Sequence, residues 1–567
     1  MMINMNTRIY SKLKKVFVLL MVTSLLVSCK KMLDVAPEDA LEAKQMYRNV
    51  YDADAAVLGI YGKFSGLAER YIILNELRGD LLEVTPNANA YLREISTHQV
   101  SEDNPYADPR PFYEVIINCN DAMKNFTIMH DAKLLDDIQY NQRYTEVGLL
   151  RCWLYLQLGI QYGNVPYVTQ AIDNVNDLKD ESKFPKLTFN ELLDKLIEFT
   201  EAVPKVYLNQ NTSSASPTLI MPMNRYTVRD GVFKFFIHRK SLLGDINLWK
   251  GNYTKAAEYY KAVMELGTTT TTSADQRVDI YDTYRITNDN SGRNTLLTIG
   301  TINPWSNIFS NVLDEVETNR ERMWTLPLDK DFAPGNPFIS LFSLTGKYLV
   351  KPSALAINNW DNQVRMDGGL TDRRGLNNSY SSPGANAQVA KYTKNYTITA
   401  PFENTGIWML YRAAILHLRY AEAANQAGYS AVAGVVINDG FFDKGVVYAS
   451  NPTPFDFNAF KGTVNGNWYR SIGIRGRAVN KSVTFDIANL QIDTENKIIE
   501  EEALETAFEG YRWQDLLRIA LRRESTEPNY LANKIGDKFT AAGSADAAIV
   551  RSRLSNKANW YLPFKWK

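Results

Sequence analysis

The chain has 567 residues, 63 basic and 63 acidic side chains, and 45% hydrophobic content. That balance excludes a nucleic-acid binder working through a basic field, because phosphate recognition needs one. The length allows about three or four domains, or one large helical body with insertions.

Residues 1–28 read as a secretory signal peptide. Arg8, Lys12, Lys14 and Lys15 precede the apolar run Val16 to Val27, and Ser28 stands before Cys29. Such a run is too short to span a bilayer. A Cys at the cut is the bacterial lipoprotein pattern, so Cys29 is the expected lipidation site. Two or more acyl chains would anchor the protein stably to a membrane, outside the cytoplasm. Beyond the leader the net charge is −4, and only Cys119 and Cys152 remain as thiols. Disulfides are therefore not expected to organise the fold, and both thiols read as small buried hydrophobes.

The pattern from Asp39 to Phe64 is helical, with Tyr47, Val50, Tyr51, Ala55 and Leu58 at three- and four-residue spacing. Leu77 to Arg110 is polar and turn-rich. Helices are expected over Phe112–Met129 and Asn141–Tyr162, the second stopped by Gly163 and Pro166. Asn190–Val203, Arg229–Lys250 and Tyr253–Leu266 follow. In the last two, Leu243-Gly244, Ala256 and Tyr260 fall at tetratricopeptide offsets. From Gly267 to Ala400 the chain reads as loops with short strand-like runs such as Leu296–Ile302. Helical pattern returns at Trp408–Asn425, lapses over Phe441–Thr494, and resumes at Ile498–Phe508 and Trp513–Arg522.

No catalytic motif stands out. His98, His130, His238 and His417 show no metal-ligand spacing, and there is no nucleophile elbow, Walker loop or dinucleotide fingerprint. Carboxylates are plentiful and leave a glycosidase pair open, though no spacing favours one.

Four separated segments resemble the SusD/RagB family of outer-membrane nutrient-binding lipoproteins. They are Leu149-Leu150-Arg151 through Tyr162-Gly163-Asn164-Val165-Pro166, the Leu243–Tyr260 hairpin, Tyr411-Arg412 through Ala421-Glu422-Ala423-Ala424-Asn425, and Glu505 through Glu509-Gly510-Tyr511-Arg512-Trp513-Gln514-Asp515-Leu516. The last is the most specific. Cys152, Gln161 and Phe564 depart from the family pattern.

The resemblance implies a mostly α fold, a tetratricopeptide-like scaffold of helical hairpins carrying an irregular, loop-rich lobe with short strands. It divides the chain into the signal peptide, a helical scaffold region at 29–266, an irregular ligand-binding insertion at 267–400, and a C-terminal region at 401–567 that completes the scaffold. It also implies a cell-surface lipoprotein that binds an oligosaccharide and delivers it to a TonB-dependent, SusC-like outer-membrane barrel. Peptide cargo, as in RagB-like members, is the alternative; a lipid-anchored glycoside hydrolase is the weaker one. No enzyme activity, cofactor or metal is expected.

Sugar rings stack on flat aromatic faces while their hydroxyls seek Asn, Asp, Gln and Arg. Ligand contacts are therefore expected from Arg78, Asp80, Asn87, Asn89 and Tyr91 in the loop after an early helix. The insertion should add Trp305, Asn307, Trp324, Trp360 and Asp361. Glu509, Arg512, Trp513 and Asp515 are expected to tie down the last helix.

Overall fold

A computed structural model describes residues 46–172, 178–180, 182–204, 236–265, 305, 308–309, 321–328, 334–382, 384–393, 406–438, 440, 448, 450–457 and 473–565. Cys29, Asn307 and the Leu296–Ile302 run lie outside them.

Helix α1 (Val50–Ser65) starts at Asn49, whose side chain accepts from the N–H groups of Tyr51 and Asp52. Its buried face is Ala53, Asp54, Val57, Ile60, Tyr61 and Phe64. Tyr51 and Leu58, expected on the inner stripe, instead face solvent. Two contacts set the rotation. Arg143 Nε donates to Asp54 at 2.8 Å, and the Phe64 ring lies 5.3, 5.8 and 4.9 Å from those of Trp153, Trp324 and Trp408.

α2 (Ala68–Ile72) runs into a π turn at Ile73–Leu77, and strand β1 (Leu82–Val84) follows. The stretch read as turn-rich also holds α3 (Ala90–Thr97). Next come α4 (Arg110–Asp131) and α5 (Asp137–Tyr162), which pack as an antiparallel hairpin. A capping box between Asp136 and Gln139 opens α5. Strands β2 (Val165–Pro166) and β3 (Lys186–Leu187) pair before α6 (Phe189–Ala202).

The tetratricopeptide-like hairpin is α7 (Arg239–Lys250) and α8 (Tyr253–Met264). Gly244 is there for close approach: an added Cβ would meet the Tyr260 ring. Tyr260 donates its hydroxyl to Asp245 at 2.7 Å, and Ala256 is fully buried.

After this hairpin in the chain comes a stretch of short elements. It holds β4 (Arg322–Leu328), α9 (Pro337–Phe342), β5 (Val350–Pro352), α10 (Ala354–Asp361), β6 (Tyr380–Ser381), β7 (Gln388–Val389) and α11 (Ala390–Thr393). β1 pairs with β5, β6 with β7, and β4 with β8 (Gly406–Arg412), all antiparallel. The expected helix Trp408–Asn425 is thus corrected: its first residues form β8, and α12 (Ala413–Gln426) begins only after Arg412. β8 is buried along its whole length. It therefore shows a continuous apolar run that periodicity cannot tell from a buried helix.

The remaining helices are α13 (Ser430–Ile437), α14 (Ile474–Arg477), α15 (Leu490–Glu505), α16 (Arg512–Arg522), α17 (Tyr530–Ala541) and α18 (Asp546–Leu554). The α15–α16 turn needs Gly510, which has φ +93 and sits against the Tyr71 ring. Glu76 from the π turn accepts the backbone N–H groups of Phe508, Gly510 and Tyr511 at 3.1, 2.7 and 2.9 Å. This joins the first quarter of the sequence to the last.

Two buried ion networks organise the C-terminal half. In one, Glu505 is held by Arg374 at 2.7 Å, Arg412 at 2.8 Å and Arg477. Glu321, Glu501, Glu509 and Asp372 complete the acidic side, with Lys391 and Arg475 on the basic side. Burial alone would raise the Glu505 carboxyl; Arg477, Arg412 and Arg374 overcome that and hold it far below the usual range. In the other, Arg518 bridges Glu422 and Asp515, and Arg522 and Arg523 pair with Glu495. Beside it Glu502 is 4% exposed. Burial, with Asp515 and Glu422 close by, pushes its carboxyl well above the usual range.

Candidate functional site

The base of the early loop is fixed before any ligand arrives. Arg78 and Asp80, read from sequence as contacts, are each 1% exposed and belong to the scaffold. Arg78 lies over the Trp513 ring at 3.9 Å and donates to Gln161 at 2.6 Å and to the Trp560 carbonyl at 2.7 Å. Gln161, a departure from the family pattern, supplies an acceptor to a guanidinium that has no carboxylate partner among the described residues. Asp80 takes a bidentate pair from Arg512 at 2.6 and 2.8 Å. Although burial would raise its pKa, Arg512 keeps it below the usual value. The buried Lys538 ammonium closes the support, donating to the carbonyls of Leu77 at 3.0 Å and Gly79 at 2.7 Å. Burial pulls its pKa down to about 8.

From that base β1 leads to a surface of three loops: 85–89 with the first turn of α3, 343–349, and residue 382 with 384–388. Thr85 N–H donates to the Leu349 carbonyl at 3.0 Å. Asn87 Nδ2 donates to the Lys347 carbonyl at 3.1 Å. Asn89 caps α3, accepting from Leu92 N–H at 2.9 Å, and Asn104 Nδ2 holds the Tyr91 carbonyl at 2.9 Å. The third loop is bound to the second. Tyr348 donates its hydroxyl to the carbonyls of Ala385 and Ala387 at 3.0 and 2.8 Å, and Leu344 N–H donates to Gln388 at 2.8 Å.

Asn87, Asn89 and Tyr91 stand exposed on this surface, Tyr91 at 39%. Leu344, Thr345, Lys347, Ser382 and Asn386 are exposed beside them. The sequence reading missed this second group. Two residues of these loops, Tyr348 and Ser382, hold φ of +50 and +58, angles that non-glycine residues seldom adopt. No sequence pattern announces those two positions.

The expected tryptophan platform is in the core. Trp305, Trp324 and Trp360 are 0%, 1% and 0% exposed, leaving no face for a sugar ring. Trp324 packs on Trp153 and Phe64. Trp360 donates its indole N–H to the Leu504 carbonyl at 3.1 Å and packs against Tyr380 and Phe508. The Trp305 ring covers Arg412 and Lys391 of the first ion network, each 5.4 Å from its centre. Among the described residues no Trp is exposed. Asp361 is exposed, but at the far end of α10 from Ser353, whose hydroxyl donates to the Asp80 carbonyl.

Among the described residues no three His, Cys, Asp or Glu side chains gather as a metal site, and no helix is long and apolar enough to cross a membrane. Cys119 and Cys152 are free and buried.

Residues 354–565 match the pattern of one family. That segment is similar to the SusD family. It is 22% identical over 545 residues to SusD-like protein P2 of Formosa agariphila, covering 92% of this chain and 93% of that one. Among solved structures, a SusD superfamily protein from Bacteroides thetaiotaomicron aligns with a TM-score of 0.60 at 16% identity, over 88% of this chain and 98% of the other. Surface glycan-binding protein A from Bacteroides uniformis aligns at 0.54 and 15% identity, over 90% and 95%. The mostly helical, tetratricopeptide-like scaffold is thus the SusD-like fold.

Proposed function

We propose that this SusD-like chain is an outer-membrane lipoprotein, anchored through Cys29, that binds an oligosaccharide and passes it to a TonB-dependent SusC-like barrel without covalent chemistry. The ligand face is the three-loop surface bearing Asn87, Asn89 and Tyr91. One observation carries the assignment: the three loops are tied to one another and to a buried charged base, yet leave amides, hydroxyls, an ammonium and one ring open to solvent. A pre-ordered polar surface of this kind binds hydroxyl-rich ligands without spending affinity on ordering loops. The Bacteroides uniformis relative, itself a surface glycan-binding protein, supports the substrate class.

A second reading gains from the buried tryptophans. Since Tyr91 is the only exposed ring on this surface among the described residues, the surface also suits a peptide, whose backbone pairs with amides and charged groups. Affinity electrophoresis through gels cast with polysaccharides or with denatured protein separates the two. Tyr91→Ala should lose most glycan retention at an unchanged melting temperature. Full retention of Tyr91→Ala and Lys347→Ala in every glycan gel would overturn the assignment of the face, and retention by denatured protein alone would establish the peptide reading.

A further inference from the structure

The three-loop surface carries cations and no acid of its own. Residues 85–93, 343–349 and 382–388 hold no Asp or Glu, while Arg93 and Lys347 are both exposed. One turn links the two. Arg93 Nη2 donates to the carbonyls of Thr85 and Pro86 at 3.3 and 3.0 Å. The Lys347 carbonyl accepts from Asn87 Nδ2 at 3.1 Å, and the Thr85 hydroxyl donates to the next carbonyl, that of Tyr348. The Thr85–Asn87 turn therefore joins the guanidinium of one to the backbone of the other. Among the described residues neither Arg93 nor Lys347 meets a carboxylate. The acids nearest in sequence are taken. Glu83 pairs with Lys351 at 3.1 Å across the β1–β5 ladder. Glu94 Oε2 accepts from the Ser101 N–H, the Ser101 hydroxyl and Asn104 Nδ2 at 3.0, 2.6 and 3.0 Å.

We propose that this face selects an anionic oligosaccharide, one bearing carboxylate or sulfate ester groups, with Arg93 and Lys347 as its specificity-determining cations. The inference rests on the assignment of the three loops as the ligand face. Beyond the leader the chain has a net charge of −4, so the two cations are a local feature and not part of a general basic field. An anion arriving here pairs with both without displacing an existing ion pair. A neutral sugar leaves them to water and gains nothing from their charge, and that difference is the discrimination. The two cations suit different parts of the task. The Arg93 guanidinium is a planar fork that matches a carboxylate or sulfate through paired N–H groups. Its hold on the Thr85 and Pro86 carbonyls already restricts the side chain, so less freedom is lost on pairing. Lys347 adds a compact point charge that tolerates varied geometry. Around them Asn87 and Asn89 remain exposed to meet the hydroxyls that an acidic sugar shares with a neutral one.

The test uses native gels cast with polygalacturonate or its full methyl ester, and with dextran sulfate or dextran. Each pair shares a backbone and differs in charge, and the two pairs separate carboxylate from sulfate. A polyglutamate gel stands for an acidic peptide. The protein should be retained in at least one charged polysaccharide gel, and less in its neutral partner. Arg93→Gln and Lys347→Gln should each weaken that retention about two- to fivefold, the range of an exposed ion pair, and added salt should weaken it in the wild type. Lys124→Gln, an equal loss of charge at an exposed position of α4, should leave it unchanged. Equal retention in neutral and charged gels would overturn the proposal. So would charged-gel retention that both cation variants keep, no retention in either charged polysaccharide, or retention by polyglutamate alone. Tyr91→Ala reports the ligand face separately: if it loses retention in a neutral gel while both cation variants keep theirs, the anionic selectivity falls and the face stands.

Discussion

At the scale of single residues, buried charge governs behaviour. Glu505 is shared by three guanidiniums, and Glu505→Gln leaves them short of one acid. Removing one partner from a buried network costs about 3–5 kcal/mol, readable as a lower denaturant midpoint at pH 7. The sign with pH follows from its depressed pKa. Its stabilising effect is complete above the unfolded glutamate value, about 4.3, and is lost as pH falls below it. Glu502 behaves oppositely. Its folded pKa is raised, so the unfolded chain ionises first as pH rises, and stability declines from about pH 4.3 upward. Glu502→Gln should therefore melt higher than wild type at pH 8, with a smaller gap at pH 5; equal gaps would mean that Glu502 is not the group responsible. The same burial explains why the site was only partly legible. Arg78, Asp80 and three tryptophans have the chemistry of ligand contacts, and their use as supports depends on partners such as Gln161, Arg512 and Leu504, far away in the chain. Asn87, Asn89 and Tyr91 sit in a turn-rich stretch whose exposure the sequence does announce.

At the scale of elements, local signals succeeded where they were complete. Gly244 and Tyr260 specified the α7–α8 hairpin because one fills the space the other vacates. Gly244→Ala places a methyl in the Tyr260 ring and should destabilise by about 1–3 kcal/mol; Tyr260→Leu in the same chain should recover part of that loss, measured by a double-mutant cycle of thermal melts. Full additivity would mean that the two residues do not meet. The α1 reading found the helix and the wrong inner face, because two apolar stripes share one helix and only the partners Arg143 and Trp153 choose between them. β8 was taken for helix for a related reason: a strand buried on both sides has no alternation to read.

At the scale of the molecule, the proposed ligand loops rise from a base in which Arg78 meets Gln161 near the C-terminal end of α5. The four family motifs made the scaffold legible, since each marks a helix pairing or a capped turn: Glu76 closing on the Gly510 turn and Arg512 on Asp80 are long-range pairs written in short motifs. The proposed ligand face lies between those motifs, built by loops from distant stretches of chain that only hydrogen bonds such as Thr85 to Leu349 and Asn87 to Lys347 bring together. Hydrogen–deuterium exchange of the full protein, with and without the polysaccharide fragment it retains most strongly, tests the account most directly. Ligand should slow exchange in 85–92, 343–349 and 382–388 together. Protection confined to other segments, with those three loops unchanged, would contradict it.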